Sequence, residues 1–271
     1  MNSILHQWQP FWRKNRECFF RLGLTLMVCL LISFIQPLVA QETDLEKSLP
    51  TLKHHTLPPT LIQWQDVHGV GDYFDQISAS PAGYLIWSKF PIKVYLDRPQ
   101  NLTDNSASNL RFQQWVEGVT QGIKEWQVYL PIVEVPDPKL ADILIKRTDP
   151  PLDTTFDQET GKLKIPRARS AQTRYDFYFT EDHPPLLFHR MTIKISPRLS
   201  QSSILSATRH ELGHGLGIWG HSDQETDALY FSQVRHPPTI SVRDINTLKK
   251  IYQQPTRLGW PLPESVSLKL N

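Results

Sequence analysis

The sequence predicts an α+β domain, and three observations carry that prediction. Short alternating or β-branched runs bounded by Pro, Asp and Gly recur between residues 90 and 195. Two stretches, 105–129 and 241–252, place apolar residues at helical spacing. A third helix is required by chemistry, because His210-Glu211-Leu212-Gly213-His214 reads H-E-x-x-H. Positions i and i+4 are rotated by only about 40° on a helix, so that pattern there turns two imidazoles to one side.

Taken in order, residues 90–96 alternate as a strand does, closed by Asp97-Arg98-Pro99. Residues 105–129 carry Leu110, Val116, Val119, Ile123 and Trp126 on one helical face, with Ser106 or Ser108 as cap and Pro131 as terminator. Residues 132–135 form a short strand before Pro136, and 141–146 read as a buried, β-branched strand. Residues 149–170, rich in Pro, Thr and charge, are a loop or small hairpin turning at Gly161. Residues 173–179 and 190–195 alternate as strands, the second stopped by Pro197. Ser202 or Ser203 caps a helix running through Leu205 to about Leu216, and Ser241 opens an amphipathic helix ended by Pro255. No internal repeat is present.

The flanks are of another kind. Leu22 to Ile35 is an apolar run of 14 residues behind a basic segment, and Ala40 precedes polar Gln41 and Glu42. A membrane span needs about 20 residues. Residues 1–40 therefore read as a secretory signal peptide cut after Ala40, with an uncleaved membrane tether through 22–35 as the alternative. Residues 41–83 read as a linker or N-terminal extension, flexible over 41–60, where His54 and His55 stand as surface histidines, like His68 beyond them; 66–77 has more apolar content and is expected to pack on the domain. The domain that carries the histidine motif is then expected to span 84–258, with 259–271 as a tail. Either location places that domain outside the cytoplasm, secreted, periplasmic or membrane-anchored.

Composition narrows the chemistry. The chain has 29 basic and 27 acidic residues; setting aside Arg13, Lys14, Arg16, Arg21 and Glu17 leaves 25 and 26. Such balance gives no support to a nucleic-acid partner. Cys18 and Cys29 are the only cysteines, both in the leading segment. The domain therefore has no disulfide, no thiolate ligand and no cysteine nucleophile, and a metal must be held by His, Asp or Glu. Proline, 22 of 271 residues, is frequent at about 8% against a usual ~5%, and its spread between apolar runs suits a loop-rich enzyme.

Zinc in a catalytic site takes three protein ligands and keeps a fourth position for water. His210 and His214 supply two. Glu211, beside the first ligand, reaches the metal-activated water as general base without binding metal itself. His221 follows the glycines as the third ligand, chosen for its imidazole and its proximity; Asp223, Glu225 and Asp227 are its rivals.

The stretch from His210 resembles the metzincin signature H-E-x-x-H-x-x-G-x-x-H, and most nearly the matrixin branch with its secreted bacterial members. Gly217 matches the glycine of the turn, His221-Ser222 the family's His-Ser, and 227–231 the Met-turn; 241–252 is similar to the C-terminal helix. The resemblance covers roughly residues 84–255, strongest around the histidines. It implies a mixed, mostly parallel sheet packed on two helices, with a small C-terminal subdomain ending in a helix. It implies one catalytic Zn2+ and, as a further family property, structural Ca2+, for which no acidic loop here specifies a site. Two departures stand out. Ile218-Trp219-Gly220 puts three residues where the family has two, a bulge expected to rely on Gly220 at positive φ. Leu229 replaces the methionine, at modest expected cost.

The expected function is that of a zinc-dependent endopeptidase, with Glu211 as base and His210, His214 and His221 as ligands. Its partner is a peptide or protein in extended conformation laid along an edge strand, with 173–179 as the candidate nearby strand. The alternative is a catalytically weak or inactive binding or scaffold protein of the same fold at the cell envelope.

Overall fold

The computed structural model describes residues 48–101, 105–152, 154–157, 159–164 and 169–263. The leading segment 1–40, with its expected signal or tether over 22–35, lies outside the described residues. Among the described residues, no helix is long and apolar enough to cross a membrane.

The strands form where the alternation placed them. β1 (Ile92–Leu96), β2 (Ile132–Glu134), β3 (Ile143–Lys146), β6 (Ala171–Phe179) and β7 (Leu187–Ile195) make one sheet in the order β2-β1-β3-β7-β6. β1 is parallel to β2 and β3, β3 is parallel to β7, and only β6 runs antiparallel, against β7. The sheet is thus mixed and mostly parallel, and β6 is its edge beside the site. Between them, β4 (Thr155–Phe156) and β5 (Leu163–Lys164) pair as the small hairpin expected around Gly161. The inward residues are apolar, as burial on a sheet face requires: Ile143, Ile145, Met191, Ile193 and Ile195 are sealed from solvent.

α1 (Pro59–Gln63) is a short helix that periodicity did not announce. α2 (Ala107–Gln127) starts at Ser106, whose hydroxyl accepts from the Asn109 N–H. α3 (Gln201–Gly215) carries the two histidines; Ser200, not Ser202 or Ser203, is its cap, so the helix begins two or three residues earlier than those caps would place it. α3 lies against β6, β7 and α2. Its contact with α2 is close: a Cβ on Gly118 or Gly122 would stand 2.9 Å from Ile204 Cγ2 or 2.6 Å from Thr208 Cγ2. Arg209 ties the pair with Nε and Nη2 on the Glu125 carboxylate at 2.6 and 3.0 Å. α4 (Val242–Tyr252) opens on a full capping box, Ser241 and Asp244 each bonding the other's backbone N–H.

The expected boundaries at 83/84 and 258/259 have no counterpart in the packing. The chain divides instead between Leu49 and Pro50, and residues from Pro50 onward are one compact unit. The supposed linker is built in by side chains the proline count concealed. Leu61 and Tyr73 are buried, Lys53 pairs with Thr256, and Arg257 Nη1 donates to the Pro50 carbonyl at 2.7 Å. His54 and His55 bond the carbonyls of Gln253 and Leu258, and His55 stacks on Trp260 with ring centroids 4.4 Å apart. Residues 259–263 are held as well, by Leu262 in the core and Pro261 paired with Leu186; the rest of the expected tail lies outside the described residues.

Candidate metal centre

α3 ends where its backbone must. Ile218 N–H donates to Gly213 O at 3.0 Å and Gly217 N–H to His214 O at 3.1 Å, the paired bonds of a Schellman cap. Gly217 supplies the positive φ of 126° that this cap favours, and the Leu85 carbonyl lies where its Cβ would be. Two carbonyls at the helix end find partners outside it: Trp87 Nε1 donates to Gly215 O at 2.9 Å and Tyr252 Oη to Leu216 O at 3.0 Å. The turn that frees the chain for His221 is therefore fixed by both local and distant groups.

His210, His214 and His221 come together, each offering a nitrogen, with these atoms all within 4.8 Å of one another. The three ring centroids are 4.7–5.2 Å apart. His210 Nδ1 meets the Ala228 carbonyl at 2.9 Å, and His214 Nδ1 meets the Ile218 carbonyl at 2.7 Å. A carbonyl only accepts, so both Nδ1 atoms carry the proton and both Nε2 atoms hold a lone pair. Those Nε2 atoms face each other at 3.1 Å with no proton between them. Two lone pairs so placed could be shared by one cation, which His210 and His214 would hold together with His221. The donor set therefore fits a metal ion.

Electrostatics point the same way. Burial drives His210 down to about 4, with the Ala228 bond opposing and His221 adding to the fall. Burial first and then His210 hold His214 well below the ordinary histidine range, and burial lowers His221 too. All three are thus neutral near pH 7, the form that binds metal.

Glu211 sits on the buried side of the same turn. Burial lifts its carboxyl to about 7, against the Thr173 hydroxyl, the charge of Arg169 and a backbone bond, which all lower it. Thr173, on β6, lies 2.7 Å from Glu211 Oε2 and 2.9 Å from the Glu211 carbonyl. The edge strand thereby aims the carboxylate.

Leu229 is buried against α3. A Cβ on Gly213 would stand 2.6 Å from its Cδ2, so leucine and glycine fit one another. The turn is closed by Ser222 N–H on Leu229 O at 2.8 Å. The rival ligands are otherwise engaged or outside the cluster: Asp227 Oδ2 accepts from Arg243 Nε at 3.0 Å and from Ser222 Oγ, and Asp223 stands 3.6 Å from Arg243 Nη2. Gly220 is not among the glycines at positive φ, which corrects the expectation for the extra residue. It is needed for close approach, since the Gln76 carbonyl occupies the place of its Cβ.

Two residues of the site escaped sequence reasoning. Thr173 looked like any strand residue. Asp244 was legible as part of a capped helix, yet its buried carboxylate also accepts from Tyr73 Oη at 2.6 Å, Ala228 N–H at 2.9 Å and Ser241 N–H at 2.8 Å. It thus steadies the residue whose carbonyl orients His210. No protein-family model matches the chain, and comparison with curated proteins gives no match.

Proposed function

We propose that the chain is a zinc-dependent endopeptidase of metzincin type, acting outside the cytoplasm. The observation that supports this best is the pair of Nδ1-anchored imidazoles with converging Nε2 lone pairs, joined by His221, with Glu211 next to His210 on the same helix. His210, His214 and His221 would hold the ion. Bound there, zinc supplies Lewis-acid polarisation of a peptide carbonyl and makes a water acidic near neutral pH.

The rest belongs to the chain. Glu211, lifted by burial into the neutral range, is poised to take a proton at its carboxylate from water and return it to the leaving amine. Thr173 holds that carboxylate in the ionised form and in one orientation. β6 ends the sheet and carries Thr173, so an extended peptide adding to its edge would lie beside Glu211 with its backbone hydrogen-bonded. Tyr175 and Trp219, with ring centroids 4.9 Å apart, flank the same side.

The deciding experiment uses purified chain. Zinc at about one per chain, peptide hydrolysis, and a Glu211→Ala variant that keeps its zinc and loses hydrolysis are the expected results. Hydrolysis surviving in Glu211→Ala would remove the assigned base. Stoichiometric zinc without hydrolysis of any peptide by the wild type would favour the binding or scaffold alternative.

A further inference from the structure

The span that leads to His221 is held locally, by Trp219 N–H on Gly217 O and Ser222 N–H on Leu229 O, both at 2.8 Å, and from a distance as well. After the cap at Gly217, Ile218-Trp219-Gly220 carries the chain outward with one residue more than the resembled spacing. That span is clamped by a segment far away in sequence. Ser78 N–H donates to Trp219 O at 3.0 Å, and Ile77 pairs with Gly220 as an antiparallel bridge. The Gln76 carbonyl occupies the space of a Gly220 Cβ, which would also lie 3.0 Å from Ile77 Cδ1.

The clamp has its own anchorage. Tyr73 Oη donates to Asp244 Oδ1 at 2.6 Å, and Tyr73 N–H to Thr247 Oγ1 at 3.0 Å, both on α4. Phe74 stacks on Tyr84 with centroids 5.4 Å apart. Asp244 Oδ2 meanwhile accepts from Ala228 N–H, and the Ala228 carbonyl holds His210 Nδ1. Residues 73–78 therefore touch the supports of two histidines: directly the loop bearing His221, and through Asp244 the turn that orients His210.

We propose that the strap Tyr73–Ser78 is a positioning element of the metal centre, setting where His221 stands through its contacts with Trp219 and Gly220. This rests on the metal reading of the three histidines. Linkage makes the coupling reciprocal: a docked strap tightens metal binding, and bound metal holds the strap down by the same factor.

Both directions are measurable on the full chain. Gly220→Ala should push the backbones of 76 and 220 apart. Its Co2+ dissociation constant should rise about 10–100-fold, the range for losing an outer support of a ligand. Its visible Co2+ spectrum should lose four-coordinate intensity while far-UV circular dichroism stays that of wild type. Equal Co2+ affinity and spectrum in a folded Gly220→Ala would overturn the proposal.

Amide exchange on the wild type gives a second measurement that needs no folded variant. Zinc should slow exchange at Ser78 at least several-fold, and His221→Ala should abolish the slowing while His210 and His214 still bind zinc weakly. Ser78 exchange indifferent to zinc, in a chain whose zinc affinity depends on His221, would overturn this proposal alone. A wild type that binds no zinc or Co2+ would overturn the metal reading and this proposal with it.

Discussion

Thr173→Val isolates one interaction of the proposed base. The change keeps the shape of the side chain and removes the hydroxyl lying 2.7 Å from Glu211 Oε2. Both groups are buried, and a hydrogen bond to a charged acceptor contributes about 1.5–3 kcal/mol. The net effect is smaller, because the same hydroxyl stands 2.9 Å from the Glu211 carbonyl. When the carboxyl is protonated, the hydroxyl can turn to that carbonyl and recover the ~0.5–1.5 kcal/mol of a neutral bond. The difference, about 1–1.5 kcal/mol, stabilises the ionised form by about one pKa unit. Removing it raises the pKa of Glu211. A general base must be ionised, so the acid limb of kcat/KM moves to higher pH by about one unit. Bound zinc would lower Glu211 in wild type and variant alike, which leaves the difference as the quantity to read. The assay is hydrolysis of a quenched fluorescent peptide from pH 5 to 9, with zinc content measured at each point. Activity should fall up to about tenfold on the acid side and match wild type above the limb. An unmoved limb, or one displaced to lower pH, would refute the role given to Thr173.

Three other perturbations test the surroundings. His189 is buried on β7 against Trp87 with both ring nitrogens unpartnered, and burial alone drives it down to about 3. Its folded value lies below the unfolded ~6.5, so the unfolded chain binds the extra proton and stability falls as pH drops from about 6.5 towards 3. His189→Phe should remove about 3 kcal/mol of that loss at pH 4, read as the difference between urea unfolding at pH 7 and pH 4; an unchanged difference would exclude His189 as a source. Asp244→Ala orphans the N–H groups of Ala228 and Ser241 and the Tyr73 hydroxyl, and should cost at least ~3 kcal/mol in urea unfolding. Zinc at a hundredfold excess over its dissociation constant should add about 2.7 kcal/mol, some 5–10 °C in the midpoint of a calorimetric melt, and a chelator should reverse it. A melt indifferent to both would count against the metal reading.

Much of the fold was legible because its signals are local. Alternation in 92–96, 171–179 and 187–195 reports a face that must be buried, and Ser106 and Ser241 report backbone N–H groups that need an acceptor. The helix carrying His210 began earlier than expected because its first turn is polar and its start is marked by Ser200 alone. The apolar content of 66–77 did announce that this stretch packs on the domain, as Tyr73 and Ile77 do, whereas the linker-like composition before it concealed Leu61, a single apolar anchor without a period. Thr173 carried no signal, since its partner is a carboxylate 38 residues away.

The histidine pair and the third histidine are specified by different kinds of information. His210 and His214 converge because a helix brings i and i+4 together, and any chain that keeps α3 keeps that pair. His221 lies beyond the cap at Gly217, on a span bonded both to Leu229 through Ser222 and to the strap at 76–78, where Gly220 lets the two backbones meet. Asp244 joins these two kinds of information. One of its oxygens receives the strap's Tyr73, the other receives Ala228 above the buried Leu229, and its own backbone closes the cap of α4. A carboxylate so placed is costly to bury, and burial does raise its pKa, yet its four donors come from three separate segments of the chain. The approach to His221 is therefore set by Ile77 and Ser78 as well as by its own turn, and Asp244 ties that strap to the support of His210.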